Sequence, residues 1–290
     1  MNKLALGTAQ FGMSYGIANQ HGKIKLENIK DIIKTAREKN IDLVDTAIVY
    51  GDSEKIIGKI GILEFKFVTK LPPLPKIEVT NISFWVEEQI KLSLKRIGIK
   101  SLYGLLIHRA ADLVGTKGEK IVNALNNLKS RGLVKKIGVS IYDPSELEKL
   151  TKQINVDIVQ APLNIIDQRL INSGWLSKLY KADVEVHIRS VFLQGLLLMS
   201  EQNRPHKFNR WKNLWKMWHE WLNDNRITSL EATLRYALSI KEISKVIVGV
   251  DSKNQLEQIV ISSDGILPKI PLELCTNDVN LLNPSNWNKL

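Results

Sequence analysis

The strongest constraint on this 290-residue chain is an alternation that runs unbroken along it. Short apolar runs rich in β-branched residues recur, each followed by a stretch with helical apolar spacing. Strands are expected at 3–6, 41–45, 65–69, 102–107, 136–139, 156–160, 184–188 and 245–248. Helices are expected at 26–39, 53–59, 82–97, 119–130, 144–150 and 172–181, in a long region before Lys245, and at 254–261. In the first of these, Ile29, Ile32, Ile33 and Ala36 share one face. Strands separated by helices must run parallel, since antiparallel neighbours need only a turn. Eight such units predict an α/β protein closed into a (β/α)8 TIM barrel rather than an open doubly wound sheet. No linker-like change in composition interrupts the pattern, so residues 1–290 read as one domain.

Composition narrows the function classes. A hydrophobic fraction of 44% supplies ample core. No apolar run approaches the roughly 20 residues that span a bilayer, and the apolar core of Leu4-Ala5-Leu6 is too short for a secretory signal. The lone Cys275 has no intrachain disulfide partner, which fits a reducing cytoplasm. Net charge is +11, but the basic residues are spread along the chain without a block of five or six like charges. That distribution describes a solvated surface with a local pocket for a phosphorylated ligand, not a nucleic-acid binder.

In such barrels the working residues sit at the C-terminal ends of the strands. Asp45 closes the second expected strand, Lys70 follows the third and His108 the fourth, with Tyr50 in the loop after the second. A phenol ionises near pH 10 in water, about 10 being its ordinary pKa. An ammonium from Lys70 would lower that value, and Asp45 would hold the lysine protonated. His108 would donate a hydrogen bond to a substrate oxygen. Together the four residues can give a proton to a carbonyl oxygen while a nucleophile attacks its carbon, or run the reverse. There is no Ser or Cys nucleophile beside a base and no cluster with metal-ligand spacing. Hydride is then the natural nucleophile, which calls for a nicotinamide cofactor.

These segments resemble the aldo-keto reductase superfamily. The likeness is carried by Gly7-Thr8-Ala9, by Asp45-Thr46-Ala47 with Tyr50-Gly51 and Ser53-Glu54, by Thr69-Lys70 and by Leu106-Ile107-His108. It continues through Ile137-Gly138-Val139-Ser140, Val159-Gln160 and Arg189-Ser190 to Gln194-Gly195-Leu196-Leu197, then Val248-Gly249-Val250-Asp251-Ser252 and Gln255-Leu256-Glu257. The resemblance implies a metal-free (β/α)8 barrel that reduces aldehydes and ketones with NADPH or, less often, NADH; a small polar carbonyl compound, such as a sugar or sugar derivative, is the expected substrate. It implies Tyr50 as general acid with Asp45, Lys70 and His108 as its partners. It also implies cofactor contacts at Gly7, Thr8, Ser140, Gln160, Arg189, Ser190, Gly195, Gly249, Asp251, Ser252, Lys253 and Gln255. Ser140 and Gln160 match positions that hold the nicotinamide carboxamide. Arg189 stands where many members place an aromatic residue against the nicotinamide. Residues 249–258 resemble the loop and helix start that hold the adenosine phosphates, where unpaired N–H groups favour an anion.

The chain departs from the family pattern at Ile141, where Asn is usual, and at Asp251, where a positive residue would favour a 2′-phosphate. NADP(H) is the expected cofactor, with NAD(H) the alternative. The two departures motivate a second reading, a cofactor-binding regulatory barrel without turnover. A third is a sugar dehydrogenase working in the oxidative direction, since the same acid–base set serves both. The expected partner is a small carbonyl compound, with neither nucleic acid nor membrane.

Trp211, Trp215, Trp218 and Trp221 fall on one helical face with Leu214 and Leu222. Packing against the barrel is the expected role of that stripe, and a wall over a sugar-sized pocket beginning near Arg204 is the alternative. Tyr15 and Trp85 are lesser pocket candidates. His21, His187, His206 and His219 have no partner set and are expected to be structural or exposed.

Overall fold

A computed structural model describes residues 2–19, 22–75 and 79–290; His21 lies outside the described residues. The strands are β1 (Leu4–Gly7), β2 (Leu43–Asp45), β3 (Lys66–Leu71), β4 (Leu102–Ile107), β5 (Val134–Ser140), β6 (Ile158–Pro162), β7 (Glu185–Arg189) and β8 (Lys245–Gly249). All eight pair in parallel and in chain order, and β8 closes on β1. Leu6 lies opposite Val44 on one side and Val248 on the other. Alternate strand residues face opposite ways. Ala5, Leu43, Val68, Leu106, Ile158 and Ile247 fill the barrel interior. Their neighbours in sequence, including Leu4, Val44, Phe67 and Leu105, pack outward in the larger layer beneath the helices.

The surrounding helices are α1 (Leu26–Glu38), α2 (Ser53–Ile60), α3 (Ile82–Ile97), α4 (Gly115–Ser130), α5 (Glu146–Leu150), α6 (Trp175–Lys181), α7 (Lys212–Asp224), α8 (Ser229–Ser239) and α9 (Lys253–Ser262). The expected apolar faces are the buried ones: Ile29, Ile32, Ile33 and Ala36 on α1, and Ile90, Leu94 and Ile97 on α3. Side-chain caps fix several starts. Asn81 accepts the Phe84 N–H at α3, and Thr228 with Glu231 forms a reciprocal capping box at α8.

Two expected helices differ from the structure. The single helix expected at 172–181 is split, because Gly174 takes a left-handed φ of 75° between Arg169–Asn172 and α6. The long helical region before Lys245 opens with 3-10 turns at Leu193–Leu198, Glu201–Asn203 and His206–Trp211 before α7 and α8. Gln194 and Gly195 carry positive φ values of 54° and 90° there, which no α-helix accommodates.

The tryptophan stripe is packing. Trp215, Trp218 and Trp221 are buried on α7 with Leu214 and Leu222. Their indole N–H groups donate to the carbonyls of Phe208, Leu197 and Lys269, respectively. Each ring therefore fills core volume while its one polar atom is satisfied. The part-buried Trp211 donates to Asp278. Arg204 is buried over the Trp215 ring, 4.3 Å from its centroid, and bonds the Met199 carbonyl and His219. His187 lies wholly buried on β7 against Glu185, and His206 sits by Asn209. Among the described residues, no helix is long and apolar enough to cross a membrane.

Candidate active site

The site begins with a lock of hydroxyl groups at the rim of β1 and β2. Thr8 donates through Oγ1 to the Asp45 carbonyl at 3.0 Å. Ser53 Oγ lies 2.9 Å from Thr8 Oγ1 and 3.1 Å from Thr46 Oγ1, and all three side chains are buried. The loop from Thr46 to Ser53, which carries Tyr50, is thus tied down at both ends. Its middle is held by backbone contact. A Cβ placed on Gly12 would lie 1.7 Å from the Tyr50 carbonyl oxygen, and one on Gly51 (φ +54°) would lie 2.4 Å from the Gly12 carbonyl oxygen. Only glycine fits at both positions, so the two backbones meet directly.

Glu54 then anchors α2 from within. Its buried carboxylate accepts from Thr69 Oγ1 at 2.8 Å, Ser93 Oγ at 2.7 Å and Arg96 Nε at 2.8 Å. Three donors from β3 and α3 satisfy a charge that would otherwise be costly to bury. Thr46, Ser53, Glu54 and Thr69 therefore form scaffolding for the tyrosine loop. Thr8 belongs with them, though it also lines the cleft described below.

Asp45, Lys70, Tyr50 and His108 come together as the sequence predicts. Lys70 Nζ lies 2.6 Å from Asp45 Oδ2 and 2.8 Å from the Thr46 carbonyl, with the lysine only 1% exposed. The same ammonium sits 5.2 Å from the centroid of the Tyr50 ring. His108 meets that ring edge to face, with centroids 6.0 Å apart. The other Asp45 oxygen, Oδ1, accepts from Gln160 Nε2 at 2.7 Å. This last contact escaped sequence reasoning: 115 positions separate the two residues, and only closure of the barrel brings β6 across from β2.

The electrostatics correct one expectation. Burial pushes the Tyr50 phenol well above its ordinary range, the negative charge of Asp45 adds to this, and Arg189 opposes it. The sequence reading had Lys70 lowering that value. In the structure the lysine's hydrogen bonds go to Asp45 and the Thr46 carbonyl, and desolvation of the phenolate outweighs a cation over the ring face. Burial also pulls the Lys70 ammonium below its ordinary value, against the attraction of Asp45. His108 is lowered to about 4 by burial and then by the positive charges of Lys70 and Arg189. Its ring is neutral at pH 7, and its buried Nδ1 has no partner among the described residues.

A cleft of about 370 Å³ opens beside this group. Of the residues read from the sequence, Gly7, Thr8, Asp45, Tyr50, Gln160, Arg189, Ser190, Gly195, Gly249, Asp251 and Gln255 line it. Tyr15 lines it too, whereas Trp85 and the tryptophan stripe do not. Lys70 is buried beneath Tyr50, and neither it nor the part-buried His108 is among the lining residues. Ser140 is buried beside Gln160 in the β5–β6 register and does not reach the cleft surface. Ser252 caps α9 by accepting the Gln255 N–H, and Lys253 is exposed outside the lining. Sequence reasoning missed Gln10, Asn19, Gln194 and Gln258 as lining residues, since a single polar side chain carries no periodic signal of which cavity it faces.

The residues present fit a dinucleotide. Gln160 Oε1 is buried on the cleft wall without a donor among the described residues, an acceptor suited to an amide N–H such as a carboxamide offers. Gly7 and Gly249 lie opposite each other at the ends of β1 and β8, where neither adds a side chain of its own to the cleft. A Cβ on Gly249 would come within 2.5 Å of the Gln10 side chain. The start of α9 adds backbone N–H groups, although Ser252 and Gln255 already take up those of Gln255 and Asp251.

Comparison with known proteins identifies the family. The model of the Aldo/keto reductase family matches residues 3–269. The oxidoreductase sirO of Leptosphaeria maculans is 25% identical over 218 residues, covering 72% of this chain and 65% of its own. The NADH-specific methylglyoxal reductase of Escherichia coli is 25% identical over 224 residues, covering 68% of this chain and 65% of its own. The chain thus spans just under two thirds of the length of both relatives. Among solved structures, the aldo-keto reductase AKR11C1 from Bacillus halodurans in its holo form superposes with a TM-score of 0.73 at 20% identity, covering 92% of this chain and 88% of that one.

Two outcomes test the site as built. Asp45→Asn strips the buried Lys70 of its counter-charge and should cost about 3 kcal/mol in denaturant unfolding, with Lys70→Met similar. The double variant should cost at least about 1 kcal/mol less than the sum of the two; additive losses would show that the pair is not coupled. Because the folded-state value of His108 lies below the unfolded one, the unfolded chain binds its proton more readily between about pH 6.5 and 4, and stability falls as pH drops through that window. Thermal melts should show wild type losing more than His108→Asn between pH 7 and 4.5. Equal losses would mean that the imidazole is not held neutral.

Proposed function

The chain belongs to the aldo/keto reductase family, and from that premise we propose that it is an NAD(P)H-dependent oxidoreductase that reduces an aldehyde or ketone. One observation carries the reading: a part-buried tyrosine flanked by a lysine–aspartate pair and a neutral histidine opens onto a cleft with room for a dinucleotide. When bound, the nicotinamide supplies hydride to the carbonyl carbon. The chain's own residues manage the proton and the geometry.

Tyr50 holds its proton firmly at neutral pH, so the phenol arrives ready to donate to a carbonyl oxygen that gains negative charge. As that proton leaves, the Lys70 ammonium beside the ring stabilises the phenolate left behind. Asp45 keeps the ammonium in place, and Gln160 keeps Asp45 in place. His108, neutral and in edge contact with Tyr50, is placed to hydrogen-bond the same substrate oxygen. Burial of Asp45 and Lys70, and part-burial of Tyr50 and His108, lowers the local dielectric and strengthens these interactions.

The cleft also bears on which nucleotide is used. Asp251 lines it, while Lys253, the nearby cation in sequence, is exposed outside it. A carboxylate there disfavours the added 2′-phosphate of NADPH. The structure thus supports NADH in place of the NADP(H) expected from the family.

Tyr50→Phe should lower kcat/KM for carbonyl reduction at least a hundredfold, within the range of a lost general acid, while quenching of tryptophan fluorescence still saturates with nucleotide. Undiminished reduction would remove Tyr50 from its role. In the same titration NADH should bind at least tenfold more tightly than NADPH, and Asp251→Asn should narrow the gap; tighter NADPH binding would refute the Asp251 argument.

A further inference from the structure

The part of the cleft wall made by the Leu193–Leu198 turn depends on ties from outside itself. Ser190, Leu193 and Gln194 hold left-handed φ values of 62°, 48° and 54°, which residues with side chains adopt reluctantly. Gln194, Gly195 and Leu198 line the cleft. The two carbonyls that flank Leu198 are both tied. Trp218 Nε1, on α7, donates to the Leu197 carbonyl at 3.3 Å. Arg204 Nη2 donates to the Met199 carbonyl at 3.2 Å, and the same nitrogen lies 2.9 Å from Nε2 of His219 on α7.

The second tie is conditional. A guanidinium has only donors, so the contact needs His219 Nε2 as acceptor, with the ring neutral and its proton on Nδ1. Arg204 is 7% exposed and lies 4.3 Å over the Trp215 ring, and its Nε is buried without a partner among the described residues. The side chain thus leans on His219 for its placement. Burial and then the Arg204 charge hold the part-buried imidazole below its ordinary value, against a weaker pull from Glu201 of the preceding turn. Lys216 and Glu220, its charged neighbours on α7, pair with each other. A proton on Nε2 would strip Arg204 of its acceptor and set two cations side by side, driving the guanidinium off the Met199 carbonyl.

We propose that Arg204 and His219 are a positioning pair that ties the Leu193–Leu198 wall to α7 while His219 is neutral and releases it on protonation, so that nucleotide binding weakens as pH falls. The proposal rests on the reading of the cleft as a dinucleotide site and adds a control to it. The tied wall is the form in which His219 holds a proton least well. By linkage, a nucleotide that needs that wall binds best with the proton off.

Calorimetric titration of the full chain with NAD+, which withstands acid, tests this between about pH 8 and about pH 5, a range that spans imidazole titration. In wild type the Kd should rise at least about fivefold over that range. In His219→Gln, whose side-chain oxygen can accept the Arg204 bond at any pH, the rise should stay below about twofold. Arg204→Gln should bind more weakly at both ends of the range and show the same flat profile. Amide hydrogen exchange across residues 193–204 should be faster in wild type than in His219→Gln at the acid end, and equal at the alkaline end. Thermal melts of each variant at both ends separate unfolding from lost affinity. An equal rise in wild type and His219→Gln would overturn the proposal by assigning the pH dependence to another group, such as His108. A flat wild-type profile would overturn it too. If neither NAD+ nor NADH saturates the protein at the alkaline end, the dinucleotide reading fails and the proposal falls with it, an outcome distinct from a flat profile.

Discussion

The ion pair of Asp45 and Lys70 is the contact on which the site depends. Both side chains are almost wholly withdrawn from water, and their atoms approach to 2.6 Å. Burying two charges costs several kcal/mol per ion, recovered only when the geometry is good and the remaining polar atoms are satisfied. Here they are: Lys70 also donates to the Thr46 carbonyl, and Asp45 accepts from Gln160. The three side chains arise from β2, β3 and β6, so the arrangement exists only when the barrel is closed. As a stability device such a pair is a weak choice beside apolar packing. Its value lies in placing an ammonium against Tyr50.

A second constraint holds the tyrosine against that ammonium. Tyr50 lies in a loop, and loops are ordinarily the least defined part of a fold. This one is held by the buried hydroxyls of Thr8, Thr46 and Ser53, by the close backbone contact of Gly12 with Gly51, and by Glu54 at the start of α2. Many of the residues that carry the family resemblance prove to be fasteners of the loop rather than participants in proton transfer. They keep the phenol at a fixed height over Lys70, and small displacements from productive geometry are costly to a reaction rate.

The charges of the mouth divide into two groups. Asp45 with Lys70 forms a neutral pair in the wall, while Arg189, on the cleft lining, has no carboxylate partner among the described residues. Burial raises the Tyr50 phenol and lowers the His108 imidazole, so both side chains are uncharged near neutral pH. Asp251, near α9, lines another part of the cleft.

Much of this was legible in the sequence because the signals are local. Alternating β-branched runs and helical spacing determined the barrel, and barrel geometry determined that Asp45, Lys70 and His108 share a rim with Tyr50. The apolar faces of α1, α3 and α7 followed from spacing alone, as did the packing role of Trp215, Trp218 and Trp221. Helix breaks at Gly174 and Gln194–Gly195 did not, since a backbone's choice of left-handed φ depends on what surrounds it. Nor did the tie from Gln160 to Asp45, the withdrawal of Ser140 from the cleft, or the stacking of Arg189 on Tyr142. The protonation states reversed the expectation for Tyr50, because a pKa answers to desolvation and to distances between side chains far apart in sequence. Periodicity and strand-end residues thus determined the fold and which polar residues share the rim; only the closed barrel decided which groups touch and which are dry.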